Sequence, residues 1–171
     1  MQRSIFTLIT LIVLFVSIPS LTIAQEQLAR PTGEIILTVT GAINQTNAPG
    51  KAEFDLAMLQ ALGVQQRRRT TPWTDGIQEF DGVLMRDVMK AVGANGKEVL
   101  ALALNDYAVT IPLDDFTRYP ILLAFAANGK ALTRRDKGPL WIIYPTDEFP
   151  ETKTAAHVAR SVWQLHRIEV R

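Results

Sequence analysis

The segment that decides how this chain is organised is Arg134-Arg135-Asp136-Lys137-Gly138-Pro139-Leu140-Trp141-Ile142-Ile143-Tyr144-Pro145. An apolar run after a Gly-Pro turn is typical of a buried β-strand. The loop before the run brings three cations and one carboxylate to the mouth of that strand. This loop is either an exposed turn that leads into the core or a holder for a small polar or anionic heterocycle.

The N-terminus has the pattern of a secretory signal peptide. Arg3 precedes an apolar stretch over residues 5–18, and small residues before Ala24 match the positions that signal peptidase recognises. We expect cleavage after Ala24 and export to the periplasm. An uncleaved N-terminal anchor is the alternative, and it leaves the domain in the same compartment.

Composition narrows the function of the remaining chain. Residues 25–33 are predicted to be a flexible lead-in and residues 34–171 a single domain. Of 18 basic and 17 acidic residues in the chain, only Arg3 lies before residue 25, so the exported part has a formal charge of zero. No general field then attracts nucleic acid. The chain has no cysteine, which excludes a cysteine nucleophile, disulfides and thiolate metal ligands.

Hydrophobic periodicity and turn residues predict more strands than helices. Helices are predicted over residues 54–63 and 84–93, each ended by a glycine, with Asp55 as a cap of the first. Asn128-Gly129 predicts a hairpin turn. Strands are predicted over residues 34–41, 98–103, 108–112, 121–127, 140–143 and 162–170, and residues 64–70 are compatible with a strand. Because strands and short helices do not alternate, we predict an α+β fold with a mixed, strongly curved sheet.

Standard catalytic arrangements are not found in the sequence. His157 and His166 are expected at the surface or at a sheet edge, and no serine lies in a Gly-flanked nucleophile elbow. No His/Asp/Glu cluster has metal-ligand spacing. The pair Asp114-Asp115 is expected to cap a helix rather than to act as a catalytic carboxylate pair.

Two polar-aromatic turns suit a flat heterocyclic ligand. Thr71-Pro72-Trp73-Thr74-Asp75-Gly76 places an indole in a loop, and Leu104-Asn105-Asp106-Tyr107 joins two apolar strands. Such a ligand needs an aromatic surface for stacking, an acid or amide for its ring edge and a cation for exocyclic oxygens. The alternative is that Trp73 covers the core and that Asn105-Asp106 is an ordinary turn.

The set of segments resembles a known family when the segments are taken in order. They are Thr71 to Gly76, Phe80 to Leu84, Leu104 to Tyr107, Arg135 to Trp141 and Ser161 to Ile168. The chain from about Gly33 onward is similar to the sulfite-oxidase-fold family, the oxidoreductase molybdopterin-binding domain. The resemblance implies that fold. The family's larger enzymes hold molybdenum through a pterin dithiolene and one cysteine thiolate, whose position falls near Thr70 and Thr71 here.

A subgroup of small periplasmic members is similar to regulators that bind a free pterin without molybdenum. These pass the ligand state to the periplasmic domain of a membrane signalling protein, such as a cyclic-di-GMP enzyme or a sensor kinase. The resemblance implies that Trp73 stacks on the ring and that Tyr107 closes one side. It implies that Asp75 or the pair Asn105 and Asp106 holds the aminopyrimidine edge, and that Arg135 and Lys137 take the side chain or a carbonyl. Trp141 and Trp163 are expected in the core.

Three hypotheses follow. The first is a non-catalytic periplasmic pterin-binding protein that regulates a signalling partner. The second is a molybdopterin-dependent oxidoreductase of the sulfite oxidase type with an atypical metal site. The third is an interaction module that kept the fold without a ligand.

Overall fold

The computed structural model describes residues 28–171, so the predicted signal peptide over residues 1–24 lies outside the described residues. Between residues 28 and 171, no helix is long and apolar enough to cross a membrane.

Ten strands and four α-helices make up the described part of the chain. The strands are β1 (Leu37–Gly41), β2 (Lys51–Phe54), β3 (Gln65–Arg69), β4 (Gln78–Leu84), β5 (Glu98–Ala103), β6 (Ala108–Pro112), β7 (Leu122–Ala127), β8 (Lys130–Ala131), β9 (Trp141–Ile143) and β10 (Leu165–Val170). The helices are α1 (Leu56–Ala61), α2 (Met85–Ala91), α3 (Leu113–Arg118) and α4 (Ala155–Arg160), with a 3₁₀ turn at Pro150–Thr152.

The strands form two sheets. Sheet 1 has the order β2-β1-β10-β5-β6, and it is mixed because β1 and β10 run parallel while its other pairs are antiparallel. Sheet 2 has the order β3-β4-β7-β8, with β9 also paired to β7, and all its pairs are antiparallel. Short helices cover these sheets without regular alternation, so the predicted α+β class is confirmed.

The part of sheet 2 formed by β9 and the first four residues of β7 is buried on both faces. Successive side chains of a strand point to opposite faces, and in β7 Leu123 and Phe125 join the main core while Leu122 and Ala124 join a second apolar cluster. The second cluster also contains Phe80, Trp141 and Ile143. This double burial explains why β9 has a continuous apolar sequence. The candidate site lies on the face of the second cluster.

The turn residues behave as the sequence predicts. Asp55 accepts a hydrogen bond from the Met58 backbone N–H at 2.9 Å and so caps α1. Gly63 and Gly93, which follow α1 and α2, have positive φ values of 105° and 58°. Asn128-Gly129 links β7 to β8 with φ values of 50° and 72°. Helix α2 buries Met85, Val88 and Met89, which are three of the side chains that its periodicity assigns to the core.

Three elements differ from the sequence prediction. β2 lies where the pattern predicted a loop and the beginning of a helix, because four residues are too few to establish a period of two. β4 begins before the predicted helix, and its Gly82 lies so close to β7 that an added Cβ would be 2.4 Å from the Leu123 carbonyl oxygen. α4 buries no residue, so it has no apolar stripe that a sequence pattern could show.

Candidate functional site

Three indole rings meet beside the second apolar cluster. The centroid of the Trp73 ring lies 6.0 Å from that of Trp141 and 5.9 Å from that of Trp163. Trp141 is 1% exposed and contacts Phe80 edge-on at 5.4 Å, whereas Trp73 and Trp163 are half-buried. The loop after β3, strand β9 and the segment before β10 each supply one ring. The prediction that Trp141 is a core residue is confirmed, while Trp163 lies at the border of core and solvent.

The ammonium group of Lys137 lies over two of these rings. Its Nζ is 5.6 Å from the Trp141 centroid and 5.4 Å from the Trp163 centroid, which is within range of a cation–π contact. Nζ also contacts Asp136 Oδ1 at 3.0 Å. The Lys137 side chain is 17% exposed, against 61% for Asp136. The ammonium group of Lys137 is therefore held just before the start of β9, in contact with two aromatic rings.

Gln164 and Gly138 fix the loop that carries Lys137. Gln164 donates from Nε2 to the carbonyls of Arg134 at 2.7 Å and Asp136 at 3.2 Å, and from its backbone N–H to that of Lys137 at 2.9 Å. Gly138 packs so closely that a Cβ there would lie 2.3 Å from the Leu132 carbonyl oxygen. Only glycine permits this approach, which brings the charged loop onto sheet 2.

A cavity of 430 Å³ opens beside Lys137. This volume lies within the range of ligand-binding pockets. Its walls combine apolar and polar side chains, among them Thr74, Gln78, Phe80, Asp136, Lys137 and Trp141. A narrower cleft that Trp141 also lines is bounded by Thr70, Thr71, Trp73, Tyr144 and Thr146. Trp141 lines both the cavity and the cleft.

Arg69 is a fully buried cation at the end of β3. Its Nη1 donates to Glu148 Oε1 at 2.6 Å, but Nε and Nη2 have no hydrogen-bond partner among residues 28–171. The next residue, Thr70, donates from N and Oγ1 to the Asp147 carboxylate at 2.7 and 2.6 Å. These hydrogen bonds therefore join residues 69–70 to residues 147–148. Burial raises the pKa of Asp147, but the two hydrogen bonds from Thr70 and the positive charges of Lys153 and Arg69 together hold that pKa below its usual value.

The other residues that the resemblance assigns to the ligand are all exposed. Asp75 and Arg135 are exposed, the first in the turn after Trp73 and the second two residues before Lys137. Asn105 accepts from the Tyr107 backbone N–H at 3.2 Å, and Asp106 has a positive φ of 64°, so these residues form a turn. This turn touches the lysine loop through Gln164, whose carbonyl accepts from Leu104 N at 2.9 Å.

Tyr107 faces helix α4. Its hydroxyl donates to the Ala159 carbonyl at 2.8 Å, and its side chain is 40% exposed. The structure thus brings Trp73 and Lys137 into one aromatic group, while Asp75, Asn105, Asp106, Tyr107 and Arg135 lie around it on exposed turns. Their roles in binding stay predictions.

Helix α4 is tied down by a buried carboxylate. Asp115 Oδ2 accepts from the Tyr144 hydroxyl at 2.8 Å and from Arg160 Nη1 at 3.0 Å. Burial and the Asp115 carboxylate raise the pKa of Tyr144 far above its usual value, so the phenol stays protonated. The expectation that Asp114-Asp115 caps a helix is wrong, because α3 has no side-chain cap hydrogen bond and Asp115 points to the interior.

The two histidines, expected at the surface or at a sheet edge, are both partly exposed, and His157 lies on a helix that buries no residue. His157 is half-buried and packs its ring against Tyr144 at 5.2 Å. His166 is half-buried in β10, which is an inner strand of sheet 1. Burial and the neighbouring Arg167 lower the pKa of His166.

A second cavity, of 420 Å³, lies beside α1, but the carboxylate in its wall already has hydrogen-bond partners within the protein. The buried Asp55 carboxylate in its wall accepts from the backbone N–H groups of Thr32, Gly33 and Met58 at 2.8–2.9 Å. We therefore assign the candidate site to the indole group and not to this cavity.

Sequence analysis missed three residues of the site. Arg69 is part of an Arg triplet in a polar strand, and such a triplet normally lies in solvent. Trp163 was assigned to the core, and Gln164 was treated only as part of the last strand. Trp163 and Gln164 lie in the segment from Ser161 to Ile168, which is one of those that carry the family resemblance. Membership of that segment was the sequence signal that could have pointed to both residues. Only the fold shows that Gln164 holds the lysine loop.

Comparison with known proteins identifies the family. The chain matches the family described as the oxidoreductase molybdopterin binding domain over residues 31–154, more than half of its length, and it belongs to that family. The resemblance found in the sequence is confirmed. No curated protein sequence matches.

A solved structure supports the same fold. The sulfane dehydrogenase SoxCD from Paracoccus pantotrophus matches with a TM-score of 0.58 at 18% identity, over 78% of this chain and 37% of that chain. At this identity the likeness shows the fold alone. The chain spans little more than a third of the SoxCD chain that it matches.

The donor set of the site suits the organic part of the family's cofactor. The buried side-chain N–H groups that lack partners among the described residues are Arg69 Nε, Arg69 Nη2 and Trp141 Nε1. Such donors, together with an indole surface, fit the heteroatoms and the flat ring of a pterin. The chain has no cysteine thiolate for molybdenum, and residues 28–171 hold no group of three His, Asp or Glu side chains that could replace it.

Proposed function

We propose that this protein is a non-catalytic periplasmic pterin-binding protein that regulates a membrane signalling partner. The partner is a cyclic-di-GMP enzyme or a sensor kinase, engaged through its periplasmic domain. The ligand is a pterin without molybdenum.

One observation supports the ligand above all others. Lys137 Nζ is held over Trp141 and Trp163 at the edge of a 430 Å³ cavity. A flat, electron-poor heterocycle gains from stacking on an indole, and its carbonyl oxygen gains from a fixed ammonium donor. Trp73 packs beside both rings from a loop, where binding groups are commonly placed on a rigid scaffold.

The non-catalytic assignment rests on the lack of a cysteine that could bind molybdenum. The resemblance implies that the cysteine of the family's enzymes falls near Thr70 and Thr71, and Thr70 is already bound to Asp147. Export is supported by the N-terminal sequence pattern. The regulatory role is supported by the resemblance to small exported members of the family.

The first experiment is to purify the protein from its native periplasm, denature it, and analyse the released small molecules by fluorescence and mass spectrometry, with molybdenum assayed in parallel. We expect a pterin and no molybdenum. Stoichiometric molybdenum with a pyranopterin would instead show the oxidoreductase. Release of no pterin, together with no change of tryptophan fluorescence on adding one, would favour the interaction module.

A second experiment tests the regulatory role. Deletion of the gene should change the cellular level of cyclic-di-GMP, and the Trp73→Ala variant should reproduce the deletion if ligand binding is what the partner senses. A variant that loses pterin but signals normally would contradict the role as a sensor.

A further inference from the structure

A groove between helices α2 and α3 lies apart from the candidate site. Its volume is 350 Å³, and its apolar lining comes mainly from Met89, Ala94, Leu113 and Phe116. Met89 is 5% exposed and Phe116 1% exposed, while the other two side chains are half-buried. Apolar stabilisation grows with the area removed from water, and little of this lining is still accessible. The groove therefore suits one or two apolar side chains of a partner and not a long alkyl chain.

The charged side chains that line this groove are both cations. Arg86 and Lys90 are exposed and lie four positions apart on α2, so they stand one turn apart on the same side of the helix. Like charges at this spacing destabilise a helix. Among residues 28–171, neither side chain takes part in an ion pair. This arrangement favours an occupant that supplies carboxylates.

The acidic side chains nearby do not neutralise these two cations. Asp114 pairs with Arg118, and the buried Asp115 pairs with Arg160. The other charged side chains close to the groove, none of which lines it, are Asp87, Lys97 and Glu98. Together with the two cations of the groove they make three cations and two carboxylates. The surroundings of the groove thus keep a positive balance.

We propose that this groove docks an acidic segment of the signalling partner's periplasmic domain. One apolar side chain of the segment lies between α2 and α3, and its carboxylates contact Arg86 and Lys90. The inference rests on the proposed function, and it names the surface that engages the partner. An apolar anchor in a pocket commonly supplies most of the affinity of such an interface, and complementary charge supplies specificity and association rate.

The groove and the ligand cavity are separate but share one strand. No residue lines both. Strand β4 supplies Gln78 and Phe80 to the ligand cavity, and α2 begins at Met85, directly after β4 ends. A change in the groove therefore leaves the ligand contacts in place, so docking and pterin binding are measured independently.

The first arm of the test identifies what occupies the groove in cells. The photoreactive residue p-benzoylphenylalanine replaces Thr117, which is exposed and lines the groove, and in a control it replaces Gln60, which is exposed on α1. After illumination of the native cells, mass spectrometry identifies the cross-linked protein and the segment that carries the link. We expect the periplasmic domain of a membrane protein, linked within an acidic segment, from position 117 and not from position 60.

The second arm measures that domain, purified, against the full mature protein by calorimetry. Arg86→Glu/Lys90→Glu should bind it about tenfold or more weakly, and Arg86→Gln/Lys90→Gln should lose less because it adds no repulsion. The matched control Arg68→Glu/Arg167→Glu makes the same change of net charge at two exposed sites away from the groove and should bind as the wild type does. Circular dichroism verifies that each variant is folded.

The outcomes separate the docking surface from the proposed function. A cross-link from position 117 to a second copy of this chain, to lipid or to nothing overturns the inference, and so does an equal loss of affinity in the Arg86/Lys90 and Arg68/Arg167 variants. Pterin binding that is unchanged in all variants leaves the proposed ligand intact in either case. Docking that depends on Arg86 and Lys90 in a protein that binds no pterin upholds the surface and overturns the proposed ligand.

Discussion

Lys137 Nζ lies 5.4 Å from the centroid of the Trp163 ring, although 26 positions separate the two residues in the sequence. The contact forms because Gln164, next to Trp163, binds the backbone of the lysine loop through three hydrogen bonds. A cation that is oriented in this way loses little freedom when it binds a ligand. The relationship between these two residues therefore explains why we assign the ligand-binding role to Lys137.

Replacing Lys137 should weaken pterin binding far more than replacing Arg135. Lys137→Met keeps the aliphatic stem on the indoles and removes the charge, so we expect about tenfold weaker binding, the effect of a charge-assisted hydrogen bond. Arg135→Met changes an exposed side chain and is the matched control. Calorimetric titration measures both variants. Equal losses in the two variants would show that the loop acts by its overall charge alone.

Trp73 should supply most of the stacking energy. Trp73→Ala is expected to reduce the binding free energy by about 1–3 kcal/mol, the range seen for bases that stack on aromatic side chains. Trp73→Phe should restore part of the loss because it keeps an aromatic surface. Both variants should retain the far-UV circular dichroism of the wild type. Full affinity in Trp73→Ala would show that Trp73 only covers the core.

Gln164 should be needed for binding although it is not proposed to touch the ligand. Gln164→Ala removes two side-chain hydrogen bonds to the lysine loop and places alanine at a positive φ of 50°. We expect faster amide hydrogen exchange in residues 134–137 together with weaker pterin binding. Gln164→Gly tolerates the backbone angle and separates the two effects. Unchanged exchange in both variants would contradict the positioning role.

The Tyr144 hydroxyl should stabilise the fold. Tyr144→Phe leaves the buried Asp115 carboxylate with Arg160 as its remaining side-chain partner, and we expect a loss of about 1–3 kcal/mol in the free energy of unfolding. Tyr107→Phe also removes one hydrogen bond to or beside α4, but from an exposed position, so its effect should be smaller. Urea denaturation compares the two, and a reversed order would refute the buried network.

Asp55 should make stability depend on pH in acid. Backbone N–H groups of Met58, Gly33 and Thr32 lower its pKa below the ordinary value of 3.8. The unfolded chain therefore binds the proton more readily than the folded one, and the contribution of Asp55 is present above pH 3.8 and is lost as the pH falls through the folded pKa. Asp55→Asn should flatten this part of the curve, measured by denaturation between neutral and acid pH. Asp147 and Glu169, whose pKa values are also lowered, should keep the remaining dependence.

Much of the fold could be predicted because local signals agree with it. The glycines after α1 and α2, the Asn128-Gly129 turn and the apolar stripe of α2 each act over a few residues, so the sequence shows them directly. β2 and α4 could not be predicted, since one is too short and the other too exposed to carry a hydrophobic period. The family resemblance added the overall architecture, which local patterns do not contain.

The sequence by itself determined the α+β class, the family and the lack of a thiolate ligand. Only the tertiary structure decided which side chains meet. It placed Trp163 over Lys137, buried Arg69 with an unused donor edge, and turned Asp115 from a helix cap into the partner of Tyr144. The physical reason is that such contacts depend on the pairing of β3 with β4 and of β9 with β7. These pairings join residues far apart in the chain, and no local periodicity specifies them.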